Sequence, residues 1–473
     1  MNKIAKNTIL YLIGTITIAV FGFLNTMLLT RVLTPHVYAL YGLFISFASV
    51  AVMLISLGFD ASYMRFYYIV NLKRRKFLFK SIYVPMFAFA IFLILLLEPK
   101  HILINKIFKE SLTVYCIMFI AMYILLQVIQ RFTKLSARME EKAGNYVLSN
   151  IVDKVGSVFL IFILALSTCG IEFEYIVFIF TVTSFVALVI NVPIVMAYQQ
   201  GIQGNENITQ KELLFYGFPT CINSTIVLLI PVIERIIIRD LAGWKVLSIY
   251  TAAAIFQTVV SIISLMIDNI WNPIVYKKYS EENFFKPLMH NFSLIIITFL
   301  ILCLAGVILM RRWLVLILDK NYIDVMILAP TIFFASCLLP ISSVLGVGIN
   351  IQKKTIHYII SPMLQLIISV ALCYMFIPKF GLLGIGLAVL VSAFISRCYR
   401  ILIGLKYYPT DRYEIKCFAL IIVGMIFSAN SMLNTNISSD IFACIVIVML
   451  TVCIINKEAK SLVDFTRRIL RKS

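Results

Sequence analysis

The sequence predicts an all-α polytopic membrane protein: about 14 transmembrane helices, in two six-helix repeat lobes around a central cavity plus two C-terminal helices. Three observations predict it. First, 62% of the 473 residues are hydrophobic and only 13% are charged, with a mean hydropathy of +0.99. Soluble domains hold nearer 45–50% apolar and about 25% charged residues. Second, apolar runs long enough to cross a bilayer recur along the whole chain. Third, the two halves carry matching polar positions at a fixed offset.

The runs fall at about 8–30, 38–64, 81–97, 112–131, 146–168, 175–197, 214–238, 246–275, 288–310, 326–350, 356–377, 382–405, 417–433 and 441–455. The first follows Lys3 and Lys6 and continues through Leu29 without a small-residue cleavage pattern. It reads as an uncleaved helix rather than a signal peptide. The net charge of +19 does not point to nucleic acid, because the cations are spread over short loops. Placing both termini in the cytoplasm puts roughly two thirds of the Lys and Arg on that face, as the positive-inside rule requires. These include Lys73–Lys76, Arg131 to Lys142, Lys277 and Lys278, Lys353 and Lys354, and the basic tail. The ten cysteines lie mostly in apolar runs with no CxxC pair, and the four histidines have no ligand spacing. No disulfide framework, metal site or cofactor is expected. The connecting loops are short, so the chemistry belongs inside the membrane.

The repeat sets the domain organisation. Arg31 and Leu33 after span one match Arg239 and Leu241 after span seven, 208 residues on. Ser49, Ser56 and Asp60 map by the same offset onto Gln257, Ser264 and Asp268. Ser149, Asp153 and Ser157 map onto His357, Ser361 and Gln365. Six spans separate the copies, so the halves share one topology. The expected divisions are an N-terminal lobe at 1–200, a C-terminal lobe at 210–408, two additional helices at 415–456 and a basic cytoplasmic tail at 457–473.

The polar positions form helical stripes. Gln257, Ser261, Ser264 and Asp268 recur at spacings of four, three and four in span eight. Asn150, Asp153 and Ser157 do so in span five, with Lys154 beside them. His357, Ser361, Gln365 and Ser369 line span eleven. Span four ends on Gln127, Gln130 and Arg131, and span twelve carries Ser392, Ser396, Arg397 and Arg400. Unpaired polar groups facing hydrocarbon cost several kcal/mol, so such stripes face a neighbouring helix or water. Charges are dearer still, and mark functional positions. Glu234 and Arg235 stand side by side in span seven, and Asp153 and Lys154 lie about two turns into span five. Asp60, Arg65 and Arg397 are close enough to a helix end to snorkel.

Three stretches carry a family resemblance. Leu28–Phe66 runs from Arg31-Val-Leu33 through Tyr41-Gly42 to Leu57-Gly58. Tyr216–Phe256 holds Gly217 and Pro219, then Glu234-Arg235, then Gly243 and Tyr250. Lys379–Phe394 reads KFGLLGIGLAVLVSAF. Together they resemble polysaccharide flippases of the Wzx type, within the multidrug/oligosaccharidyl-lipid/polysaccharide exporter superfamily, over roughly residues 5–405. The resemblance implies alternating access and a substrate of undecaprenyl-pyrophosphate-linked oligosaccharide for cell-surface polysaccharide synthesis. It implies the bacterial inner membrane, and membrane lipids, a glycan polymerase and chain-length machinery as partners. Span one has no arginine between Lys6 and Arg31, unlike lipid II flippases, which disfavours a lipid II role.

For such a substrate, Arg235 and Lys154 are the leading candidates to meet phosphate oxygens. Glu234, Asp153, Asp60 and Asp268 would hold cations as ion pairs in the empty site. Gln257 and Gln365, on the polar stripes, would meet sugar hydroxyls, and Arg65 and Arg397 complete the candidate cavity. Pro231 removes a backbone hydrogen bond and would kink span seven. No P-loop is present, so the expected drive is a proton or sodium gradient, or the substrate's own. No enzyme signature is present. The alternatives are a MATE-type ion-coupled exporter and, further off, a membrane glycan polymerase or ligase.

Overall fold

The structure is a computed structural model. It describes residues 3–98, 102–140, 142–166, 171–198, 207–409 and 414–470. The described residues are almost wholly helical. Fourteen long helices follow the fourteen apolar runs: α1 Lys3–Val32, α2 Pro35–Ser56, α3 Arg74–Leu96, α4 Val114–Met139, α5 Ala143–Leu166, α6 Phe173–Tyr198 and α7 Gln210–Ala253. Then come α8 Ile255–Lys278, α9 Glu282–Ile317, α10 Val325–Leu345, α11 Ile356–Phe380, α12 Leu382–Tyr407, α13 Glu414–Leu433 and α14 Ile437–Leu470. Among the described residues, ten stretches are long and apolar enough to cross a membrane, the run Gln210–Lys278 counting once.

Local chemistry places the breaks. Thr34 caps α2, accepting the Val37 amide at 3.4 Å, and Pro35 opens the helix with φ already set. Thr113 caps α4 in the same way. The end of α2 is sharper than hydropathy predicts. Leu57 (φ 47) and Gly58 (φ 78) are both left-handed, so span two stops there and a separate short helix, Phe59–Phe66, begins. Asp60 and Arg65 lie on that short helix, not on α2. Gly243 (φ 84, ψ 175) breaks α7 in the loop position that Thr34 and Pro35 occupy in the first half.

The chain separates into two compact units, Met1–Ile236 and Ile237–Ser473. The division falls inside α7. The first part of α7 is tied to unit 1 by backbone contact. A methyl group on Gly58 would overlap the Gly217 carbonyl, and one on Gly217 would lie 2.8 Å from the Ser62 hydroxyl. Ser62 donates to the Leu213 carbonyl at 2.5 Å, and Gln210 donates to the Lys80 carbonyl at 2.8 Å. Only glycine at both positions permits this approach.

Helix packing repeats within the units. In unit 1, α4 packs on α2, α3 and α6, and α5 packs on α6. In unit 2, α10 packs on α8, α9 and α12, and α11 packs on α12, each six helices further on. The extra helices α13 and α14 pack on α9, and α13 also reaches α10 and α12. Arg311 on α9 anchors them. It is fully buried and grips Asp440 on α14 with Nε (3.1 Å) and Nη2 (2.5 Å). It also donates to the carbonyls of Ser431 and of Asn434 (2.8 Å). Hydropathy places Arg311 in an outer loop, but α9 continues to Ile317 and carries it inside.

Candidate functional site

Unit 1 holds a cavity of about 280 Å³ lined by Ala48, Ser49, Val52, Tyr123, Gln127, Arg131 and Leu228. Its charged wall is Arg131 of α4. The guanidinium grips one oxygen of Asp60, from Nε at 2.8 Å and Nη2 at 2.5 Å, and Nη2 also reaches the Met53 sulfur at 3.5 Å. Arg131 is 39% exposed at its side chain and Asp60 only 7%, so the acid stands behind the base. The other oxygen of Asp60 is buried with no hydrogen-bond partner. The break at Leu57-Gly58 makes this pairing possible, because it reorients the short helix that carries Asp60.

A second polar layer lies beside the cavity. Gln127 Nε2 donates to the Ser184 hydroxyl at 2.9 Å, and that hydroxyl donates to Asp153 Oδ1 at 3.2 Å. Gln130 donates to the Ser184 carbonyl at 2.7 Å. The charges of Asp153 and Lys154 both act on Lys134, and Asp153 also acts on the Tyr123 phenol. Asp153 and Lys154 are half-buried. Of the leading cations, Arg235 is buried and curls back along its own helix, donating to the Pro231 carbonyl at 3.1 Å. Its charge acts on Tyr41, whose ring lies tilted against Phe180 at 5.2 Å between centroids. Glu234 is buried as well. Arg65 is exposed at the end of its short helix.

In unit 2, Asp268 is half-buried and interacts with Ser343 and Arg400. Arg400 donates to the Ser343 hydroxyl at 3.3 Å and lies 4.5 Å from the centre of the Tyr358 ring. Arg397 is buried and donates to Gln365 Oε1 at 3.0 Å. Ser361 and Ser396 hydrogen-bond across α11 and α12 at 3.0 Å, and His357 lies between the hydroxyls of Tyr399 (2.7 Å) and Tyr407 (3.1 Å). Gln257 is half-buried on α8. Asp60 and Asp268, equivalent in the repeat, thus each face an arginine, from α4 in one unit and from α12 in the other.

The structure brings Asp60, Asp153, Lys154, Glu234 and Arg235 into unit 1, and Asp268, Gln365 and Arg397 into one cluster of unit 2. The residues that sequence reasoning undervalued are Arg131, Lys134 and Arg400. Arg131 carried a usable signal: it sits one turn after Gln127 on the same face of α4. A fork of donors in a polar cavity, backed by a buried acid, suits an anionic group with several oxygens. Among the described residues, no group of three or more His, Cys, Asp or Glu is placed to hold a metal ion.

Comparison with known proteins bears on this arrangement. No curated protein matches the sequence. Among solved structures, the lipid II flippase MurJ in an inward closed conformation superposes with a TM-score of 0.63 at 15% identity, covering 98% of this chain and 99% of that one. An inward-facing multidrug resistance MATE family transporter of the MOP superfamily gives 0.58 at 14%, covering 87% and 98%. A mutant form of the Vibrio cholerae MATE transporter VcmN gives 0.56 at 12%, covering 87% and 98%. At these identities the likeness is one of fold. A family described as polysaccharide biosynthesis protein matches residues 4–277, more than half of the 473. The chain belongs to that polysaccharide biosynthesis protein family, and it carries the fold of MurJ and the MATE transporters.

Proposed function

We propose that this protein is a flippase that moves undecaprenyl-pyrophosphate-linked oligosaccharide across the bacterial inner membrane by alternating access. Both termini face the cytoplasm, and the protein acts as a transporter rather than an enzyme. Membership of a polysaccharide biosynthesis family supports a glycan cargo. The observation that carries the phosphate part is Arg131, which lines an open cavity of unit 1 together with Ser49, Tyr123 and Gln127. Pyrophosphate cannot cross hydrocarbon bare; a guanidinium already placed there offsets its desolvation. Asp60 holds Arg131 in place while the cavity is empty, and Ser49, Gln127 and Tyr123 offer hydrogen bonds to sugar hydroxyls. Glycan polymerase and chain-length machinery would act on the delivered product.

A MATE-type exporter is the second reading. The fold fits it equally, and the unpartnered oxygen of Asp60 is a group that a coupling proton or sodium ion would use. One experiment separates the two. In a strain lacking the gene, lipid-linked oligosaccharide should accumulate on the cytoplasmic leaflet, and the wild-type gene should clear it. Arg131→Ala and Arg235→Ala should each reach normal membrane levels and fail to clear it. Full clearance by Arg131→Ala, or drug sensitivity with no lipid-linked glycan in the deletion strain, refutes the flippase reading.

A further inference from the structure

Four cations stand in a row where α3 begins: Lys73, Arg74, Arg75 and Lys76. Arg74 is engaged within unit 1. Its guanidinium meets the Glu140 carboxylate, which also accepts from the Tyr67 hydroxyl, and it lies 5.5 Å from the centre of the Tyr67 ring. The other three cations are exposed. Among the described residues, no carboxylate lies within 4.0 Å of Lys73, Arg75 or Lys76. Arg75 rests over the Phe79 ring, one turn on, at 5.9 Å from its centre.

The face of α3 that leads away from this basic turn is aromatic. Four residues apart from Arg75 onward come Phe79, Tyr83 and Phe87, which form one inclined ridge. The three rings are 53%, 71% and 66% exposed. Phenylalanine suits lipid chains, but a tyrosine hydroxyl turned into hydrocarbon needs a partner. Among the described residues, none bonds to the Tyr83 hydroxyl. Lys76 and Tyr83 are seven residues apart, about 10 Å along the helix. Helical side chains lean toward the N-terminus, which brings that hydroxyl nearer the basic turn than its Cα.

Cations, then a hydroxyl, then apolar surface is also the order of groups that would meet a diacyl phospholipid. Its phosphate is anionic, its ester carbonyls lie just beneath, and its acyl chains follow. Uncompensated cations beside a helix that enters the membrane attract anionic lipid. A soluble anion would use the cations and leave the ridge bare. We propose that Lys73, Arg75, Lys76 and Tyr83 form a site on the exposed face of α3 for a resident anionic phospholipid. The phosphate lies among the three cations, Tyr83 donates to an ester carbonyl, and an acyl chain follows Phe79 and Phe87. Phe79 positions Arg75. The same turn carries Arg74, so a lipid seated there also steadies the tie between α3 and Glu140, just past the end of α4. This lipid is not the cargo, because none of these residues lines the cavity at Arg131.

The test uses full-length protein in detergent, titrated with phosphatidylglycerol, phosphatidylcholine or glycerol 3-phosphate and read by native mass spectrometry. Wild-type protein should bind phosphatidylglycerol at least about tenfold more tightly than phosphatidylcholine, at about fivefold per cation. Arg75→Gln with Lys76→Gln should remove that preference. Tyr83→Phe should weaken both lipids about fivefold, the loss of one hydrogen bond. Lys353→Gln with Lys354→Gln, an exposed basic pair elsewhere in the chain, should change neither. The substituted side chains are all exposed, so the lipid-free variants should keep the parent melting temperature. Phosphatidylglycerol binding within about twofold of wild type in the Arg75 and Lys76 variant overturns the site. An equal loss in the Lys353 and Lys354 variant does so too, since any basic pair would then serve. Glycerol 3-phosphate binding as tightly as phosphatidylglycerol overturns the lipid assignment, and unchanged lipid binding in Tyr83→Phe overturns the role of the ridge. Spectra showing two copies of the chain and no bound lipid would give this face to a second copy and overturn the proposal.

Discussion

The buried fork of Arg311 makes a quantitative prediction about the last two helices. Arg311 has no exposed side-chain surface and Asp440 is 5% exposed, so neither charge has water to fall back on. Replacing Arg311 by Met keeps much of the bulk. It strands the carbonyls of Ser431 and Asn434 and leaves the Asp440 carboxylate only the longer ion pair with Arg312 at 3.8 Å. Removing one partner of a buried ion pair costs about 3–5 kcal/mol. At 1.4 kcal/mol per tenfold, local opening of the α13–α14 pair becomes roughly 100- to 3,000-fold more frequent. Cys444 reports that opening. It is buried on α14, and its thiol donates to the Ala305 carbonyl of α9 at 3.3 Å. In a background with the other nine cysteines of the ten replaced, thiol labelling of Cys444 should accelerate by that factor. Asp440→Asn, which keeps the carbonyl contacts of Arg311, should accelerate it less. Labelling in Arg311→Met within about threefold of the parent rate would refute the view that this fork holds the two helices in place.

Two further outcomes follow from unit 1. A double-mutant cycle of Arg131→Gln and Asp60→Asn, read by thermal unfolding, should give a coupling of about 1 kcal/mol, because the exposed side of Arg131 is screened. Additive effects would show that the pair does not act as a unit. Gly217→Ala should lower stability by about 1–3 kcal/mol, since its methyl group meets the backbone of Gly58, which cannot rotate away. An unchanged melting temperature would show that the contact at Gly58 is not held in solution.

The helices were legible because membrane spans are read from length and apolarity alone, and all fourteen long helices match apolar runs. Their ends were less legible, and for one physical reason. A hydropathy reading ends a span where charges begin to gather, whereas a helix inside a protein carries them onward if another helix supplies a partner. Span four was expected to end at Arg131, but α4 runs to Met139; span nine was expected to end at 310, but α9 runs to Ile317. Arg311 was assigned to a loop for that reason, and Arg131 to the last position of its span. The acids fared better. Asp60, Asp153 and Asp268 each interrupt an apolar stretch, so their cost stands out in sequence, and each has polar company in the structure. Their partners come from helices far along the chain, which spacing within one helix cannot reveal. The break at Leu57-Gly58 was also hidden, because Leu57 gives no sign that it adopts a left-handed backbone.

The pairing of Asp60 with Arg131 and of Asp268 with Arg400 is also uneven between the halves. The offset of 208 that relates the two acids relates Arg131 to Leu339 and Arg400 to Val192, so neither arginine has a copy in the other half. The acid belongs to the repeat, and each cation belongs to one half alone. The halves are therefore not interchangeable parts. A chain assembled from two copies of the first half would keep both acids and gain an arginine at the place of Leu339. It would lose Arg397 and Arg400 together, and with them the second unit's own chemistry.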